Sequence, residues 1–256
     1  MYARKNYQIM LRDRRVDYRL ILSRSARKLR VRVGLNGVEV VQPVNRTDAD
    51  ILEFLDRNEK WIVDQLKRVD RLRKISVTHR KLGEILFRGE PTRIRIQEMA
   101  TKSRGNLVRF VDGEILVQRP PGSHTSAERS LENWLRRQAR EEIKHQLELL
   151  VPQLRQRPRR VYVMGQRTKW GNCSARRNLS FNWRLILAPE FVLRYLVTHE
   201  AVHLAVPDHS AKFWLTVQSL CPETERAKRW LSANALRLSV KLKDICEKVG
   251  SSPALR

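Results

Sequence analysis

Val197-Thr-His-Glu-Ala-Val-His203 is the stretch on which the reading of this chain turns. Pro189 precedes it and Pro207 follows. Between them Phe191, Val192, Tyr195, Leu196, Val202 and Leu204 suit a largely buried helix. Proline is tolerated in a helix's first turn and stops a helix further on. Residues four apart differ by about 40° around a helix axis, so His199 and His203 project from one face and can share one ion. Glu200 follows the first imidazole directly, within reach of a water on that ion. The chain has six histidines, and His209 is the third in this short segment. A stop at Pro207 lets the chain turn back and bring His209 to the open side. Three neutral imidazoles with one exchangeable water position suit tetrahedral zinc. Six histidines and seventeen glutamates in 256 residues would produce a His-Glu-x-x-His pattern by chance in roughly 1 chain in 100. The helical setting, the prompt stop and the third histidine lower that figure. The competing reading is a core helix with incidental histidines.

Other reactive residues carry less. His79, His124 and His145 have no partner at ligand spacing and read as surface residues. Cys173 does not belong to a zinc deaminase, which would need Cys-x-x-Cys downstream of a His-x-Glu element. A cysteine nucleophile paired with a distant histidine competes there with a packing thiol. Cys221 and Cys246 read as structural. Three cysteines build no disulfide framework and fit a reducing cytosol.

Composition sets the wider limits. The chain has 52 Lys+Arg against 27 Asp+Glu, a net charge of +25. That excludes an acidic, ion-buffering surface and predicts attraction to polyanions such as nucleic acid. Hydrophobic residues at 41% and charged residues at 31% exclude a disordered chain, and 256 residues suffice for one large or two small cores. No apolar run approaches the ~20 residues of a membrane helix, and Met1 to Arg15 lacks an apolar signal core. The expectation is a cytoplasmic protein without a transmembrane segment.

Upstream, the chain reads as strands. Lys28-Leu-Arg-Val-Arg-Val33 alternates, turning Leu29, Val31 and Val33 inward and Arg30 and Arg32 to water. Asn36-Gly37 suits a tight turn before Val38–Val41, and Asp17–Ser23 supplies a neighbouring strand. One helix follows, capped by Thr47, with Asp48 and Asp50 in its first turn and Ile51, Leu55, Ile62 and Leu66 inward. Arg93-Ile-Arg-Ile96 repeats the alternation, and Leu107–Gln118 reads as a hairpin turning at Asp112-Gly113. Pro120-Pro121-Gly122 is the clearest break. Thr125-Ser-Ala-Glu128 then reads as a capping box for a helix with Leu131, Trp134, Leu135 and Ala139 inward. No internal repeat is visible. The expected division is a β-rich region with one helix over 1–120, a metal-site region over 121–231, and a basic helical extension over 232–256.

Four motifs in order carry a resemblance: Trp170-Gly-Asn-Cys-Ser174, Asn178-Leu-Ser-Phe-Asn-Trp-Arg-Leu185, His199-Glu-Ala-Val-His203 and Asp208-His-Ser-Ala-Lys-Phe-Trp214. The chain resembles the YgjP-like zinc metallopeptidases, relatives of the SprT and WLM groups, over roughly Tyr18 to Leu231. It departs from that pattern at Asn172 for serine, Ala201-Val202 for Leu-x, and Asp208 for asparagine. None of these touches a candidate ligand or Glu200, though Asp208 bears on how His209 is positioned. The resemblance implies an α+β fold, a β-rich N-terminal half packed on a zincin-like C-terminal half with an HExxH helix. It also implies that Trp170–Asn182 forms a sheet edge beside the metal, where an extended peptide can add as a strand. Asn178 and Asn182 then become candidates to hold substrate or steady a ligand. Tyr195, one turn before His199, is a candidate to reach the site, in competition with a packing role. Trp170, Trp183, Phe213 and Trp214 read as core.

The expected function is peptide-bond hydrolysis with one zinc per chain held by His199, His203 and His209. The attacking group is a zinc-activated water, with Glu200 moving its proton. The expected substrate is a polypeptide, with the basic surface directing the enzyme to nucleic-acid-associated proteins. Two alternatives stay open: a metal-dependent nucleotide phosphohydrolase, and a nucleic-acid-binding module with a residual metal site.

Overall fold

Alternating apolar and polar residues organise the first half of the chain into two four-stranded sheets. A computed structural model describes residues 4–24, 26–34, 37–78, 83–100, 105–166 and 169–250. The first sheet contains β1 (Arg4–Leu11), β2 (Arg14–Ser23), β3 (Arg30–Gly34) and β4 (Gly37–Pro43), in the order β1-β2-β4-β3. Its outer pairs are antiparallel and its central pair, β2 with β4, is parallel. Val16, Tyr18, Leu20, Val38 and Val40 are buried on one face. In β3, Arg30 is exposed, while Val31 and Val33 pack only partly because β3 is an edge. Gly34 pairs with Gly37; Asn36 of the expected turn lies outside the described residues, as does His79.

The expected single helix is two: α1 (Asp48–Arg57) and α2 (Glu59–Thr78). Thr47 caps α1 through a reciprocal box with Asp50. Asn58 breaks the run: its backbone leaves helical geometry and its Nδ2 donates to the Phe54 carbonyl at 2.7 Å. Such local side-chain bonding competes with helix continuation. Ile51, Leu55, Ile62, Val63 and Leu66 complete the first core.

The second sheet contains β5 (Glu84–Phe87), β6 (Glu90–Glu98), β7 (Leu107–Val111) and β8 (Glu114–Arg119), in the order β5-β6-β8-β7. Its pairing repeats the first sheet's: antiparallel, parallel, antiparallel. The strand architecture therefore recurs where the sequence shows no repeat. The β7–β8 turn falls at Asp112-Gly113 as read, both residues at positive φ.

α3 (Ala127–Leu154) follows, with Leu131, Trp134, Leu135, Ala139 and Ile143 buried. Its cap is Ser126, one residue later than expected, with Oγ accepting from the Arg129 amide at 3.2 Å. Thr125 is held in the loop instead, where its carbonyl accepts from Asn106 Nδ2 at 2.8 Å.

By contacts the chain forms two compact units, Met1–His79 and Arg80–Arg256. Although Pro120-Pro121-Gly122 is the strongest break in the sequence, Ile85, Ile94, Ile115 and Val117 share one core with α3 and the helices after it. That shared core draws the second sheet into the C-terminal unit.

A three-stranded sheet carries the region of interest: β9 (Arg160–Met164), β10 (Gly171–Cys173) and β11 (Asn178–Asn182), in the order β10-β11-β9. β11 runs parallel to β9 and antiparallel to β10. A 3-10 turn over Trp183–Leu187 leads to α4 (Glu190–Val202), α5 (Ala211–Leu220), α6 (Thr224–Leu238) and α7 (Leu242–Gly250). Helix α6 crosses the expected boundary at 231. Leu238, Val240, Leu242, Ile245 and Cys246 are buried in the same core, so the described part of the tail is packed structure. Among the described residues no helix is long and apolar enough to cross a membrane. The architecture is α+β.

Candidate metal centre

Pro189 is the capping residue of α4, and the helix is buried over most of its length, including Val192, Leu193, Tyr195, Leu196, Val197, Thr198, Ala201 and Val202. It ends at Val202, with His203 capping the other end. A tight turn follows: the amides of Leu204, Ala205 and Val206 bond back to Ala201 and Val202. His203 Nδ1 donates to the Val206 carbonyl at 3.1 Å, since a carbonyl only accepts. Its Nε2 therefore keeps its lone pair.

The reversal brings His209 against the helix. The ligand atoms of His199, His203 and His209 all lie within 4.8 Å of one another. The Nε2 atoms of His199 and His209 are 3.2 Å apart. Two nitrogens bound to one tetrahedral zinc at ~2.0–2.1 Å would be about 3.3–3.4 Å apart, so the pair fits a common ion. Burial drives the His199 pKa down to about 4, with smaller contributions from His203, His209 and Lys228. His203 is lowered too, by burial first, against the opposing bond to Val206. Both rings are neutral at pH 7, as ligands must be. His124 and His145 are exposed, as their sequence settings suggest.

Phe213, the third residue of α5, is fully buried and wedged among the three rings. Its ring centroid is 4.9 Å from that of His199, 4.4 Å from His203 and 4.8 Å from His209. Trp214 packs 5.7 Å from both His199 and His209, with Lys228 Nζ 4.0 Å from its ring centroid. Read from the sequence, both aromatics are core; the structure makes them the packing around the imidazoles. The signal that could have found this is spacing: Ser210 opens α5, so Phe213 follows His209 by about one helical turn. Trp183 is fully buried and Trp170 partly so, in keeping with a core role.

Glu200 is buried beside the histidines, and burial raises its pKa to about 7, against a lowering backbone hydrogen bond from Cys173 and the charge of Lys169. It lies against the edge strand β10, in a cleft of about 580 Å³ that also includes Lys169, Cys173, Arg177 and the three histidines. Cys173 is half-buried with a raised pKa, from burial first and Glu200 second, so its thiol stays protonated.

The remaining candidates fall around this cleft in different ways. Asn182 is buried; its Nδ2 donates to the carbonyls of Gln166 (2.8 Å) and Lys169 (3.4 Å), and its Oδ1 accepts from the Arg184 amide at 3.1 Å. It ties down the segment leading into β10. The Asn178 amide donates to Ser174 Oγ at 3.1 Å in the β10–β11 turn, and Asn178 does not line the cleft. Tyr195 is buried, its ring 5.9 Å from that of His199, with a pKa pushed up to about 12 by burial and then by Glu225, Cys221 and Glu200. Asp208 is exposed and accepts from the Ser210 amide at 3.2 Å, which steadies the turn into α5.

A buried helix offering two histidines and a glutamate, a third histidine returned by a turn, and a sheet edge alongside are the parts of a metal-dependent hydrolase. A family model for the YgjP-like metallopeptidase domain matches residues 27–234. The chain belongs to the YgjP-like family. No curated protein and no solved structure matches it. The family implies a bound metal, and His199, His203 and His209 fit one by donor type and spacing.

Because Phe213 spaces all three imidazoles, Phe213→Ala is expected to cost about 3–5 kcal/mol of stability and to weaken metal affinity about 10–100-fold. Urea unfolding and competition with a chromogenic chelator measure the two effects. Unchanged affinity would show that the rings hold their positions without this wedge.

Proposed function

We propose that this protein is a zinc-dependent peptidase in which His199, His203 and His209 hold one zinc per chain and Glu200 moves protons. The observation that carries the reading is the convergence of three imidazoles beside a buried carboxylate at a sheet edge. Bound zinc supplies a Lewis acid and lowers the pKa of a water it holds towards ~7.

The chain's own groups do the rest. An extended polypeptide lies along β10, whose outer edge offers backbone groups for strand addition. Glu200 accepts the proton of the attacking water and delivers it to the departing amine, so that the amine leaves neutral. Asn182 keeps the approach to β10 in place, and Phe213 keeps the imidazoles in register. The net charge of +25 supports recruitment to proteins on nucleic acid, through attraction to phosphates. The same charge, with Lys169 and Arg177 on the cleft wall, favours a second reading: hydrolysis of a nucleotide phosphoanhydride at the same centre.

The decisive comparison sets zinc-loaded wild type, Glu200→Gln and His203→Ala on a peptide library and on nucleoside triphosphates, with and without chelator. The expected outcome is chelator-sensitive peptide cleavage, a loss of about 100-fold or more in Glu200→Gln with zinc retained, and loss of both zinc and activity in His203→Ala. Turnover of triphosphates alone would favour the second reading, and full activity of zinc-loaded Glu200→Gln would remove that residue from the chemistry. For recruitment, affinity for nucleic acid is expected to fall linearly in log–log form with salt. No binding at low salt would contradict it.

A further inference from the structure

Strand β10 is only Gly171-Asn172-Cys173, and successive side chains of a strand point to opposite faces. Asn172 points one way, with Lys169 Nζ 3.4 Å from its Oδ1. Gly171, one residue earlier, faces Glu200, and all three strand residues line the cleft. A Cβ built on Gly171 would lie 2.6 Å from both Cγ and Oε1 of Glu200 and 2.8 Å from its Cδ. Non-bonded carbons pack at about 3.5–4.0 Å, so both cannot occupy that space.

The glycine is not required by its own backbone. Gly37, Gly83, Gly89, Gly113 and Gly122 have positive φ, and Gly171 is not among them. The strand is also pinned: Gly171 pairs with Phe181, Cys173 pairs with Leu179, and the Trp170 carbonyl accepts from the Asn182 amide at 2.8 Å. When a side chain is added here, the group free to yield is therefore the Glu200 carboxylate.

We infer that Gly171 is a positioning residue for Glu200: its missing side chain, next to the small Cys173, forms a slot in the edge strand that sets where the carboxylate sits. The inference rests on the reading of Glu200 as the proton-transfer group. It gives a physical reason for a glycine at this place in the edge, because the strand meets Glu200 there. A carboxylate moved by about 1 Å loses its alignment with the attacking water, and misplacement of that size costs up to about 100-fold in rate.

Gly171→Ala tests the slot, with two readouts. In the zinc-loaded variant, kcat is expected to fall about tenfold or more while KM changes less than about twofold and zinc binding is retained. Independently of activity, thermal unfolding is measured for wild type, Gly171→Ala, Glu200→Ala and the double variant. Gly171→Ala is expected to lower Tm by about 2–6 °C in the wild-type background and not at all once Glu200 is replaced. Gly34→Ala, where a Cβ meets nothing within 4 Å, is the control for a strand glycine and is expected not to lower Tm. Should Gly171→Ala be poorly folded alone, recovery in the double variant supports the slot. An equal Tm loss in both backgrounds, or an unchanged kcat where Glu200→Gln is itself inactive, overturns the inference. The melting cycle reads the slot even where Glu200→Gln shows that Glu200 is not the proton-transfer group, so the two claims fail separately.

Discussion

The hydrogen bond from His203 Nδ1 to the Val206 carbonyl is the interaction on which the site depends. It settles the tautomer of His203 and joins the backbone bonds from Leu204, Ala205 and Val206 that close the turn ending α4, so one contact ties a ligand's lone pair to the path of the chain. Without that turn, two histidines on a helix would have no third partner. With it, His209 comes back to within hydrogen-bond distance of His199, and Phe213 follows to fill the space between the rings. Burial does the electrostatic part. It depresses His199 and His203 and raises Glu200, because a low-dielectric surrounding disfavours the charged form of each.

The scaffold around this turn relies on backbone pairing more than on side-chain reach. β10 is short but is tied on one side by β11 and at its start by the Asn182 amide, so an edge strand is held firmly beside a buried carboxylate. The two four-stranded sheets share one topology, and each is followed in the chain by a helix capped through a hydroxyl, Thr47 and Ser126. Similar pairing and similar caps arise from quite different residues.

Much of this is legible in the chain. Alternation locates β3 and β6, and the hairpin read over Leu107–Gln118 is β7 and β8, with its turn at Asp112-Gly113 where both residues have positive φ. The His199–His203 pair and Glu200 follow from helical period alone, and Thr47 from capping chemistry. What escapes depends on contacts outside that local pattern. Asn58 divides a helix through a bond to Phe54, and the cap falls at Ser126 while the Thr125 carbonyl accepts from Asn106. The break at Pro120 is real as a turn, yet apolar residues on either side of it share one core. Helix α7 reads as a basic amphipathic tail because only its partners reveal that Leu242 and Ile245 are buried. The bonds from Asn182 to the backbone leading to β10 likewise join residues far apart in the local pattern. Gly171 stands in a motif, but nothing local says why it is glycine, since what it must avoid lies in another element.

The most direct test of the central claim is zinc K-edge X-ray absorption of the metal-loaded protein. A first coordination sphere of three imidazole nitrogens and one oxygen at about 2.0–2.1 Å is expected, with no sulfur at about 2.3 Å. A sulfur scatterer, or fewer than three imidazoles around the ion, would contradict it.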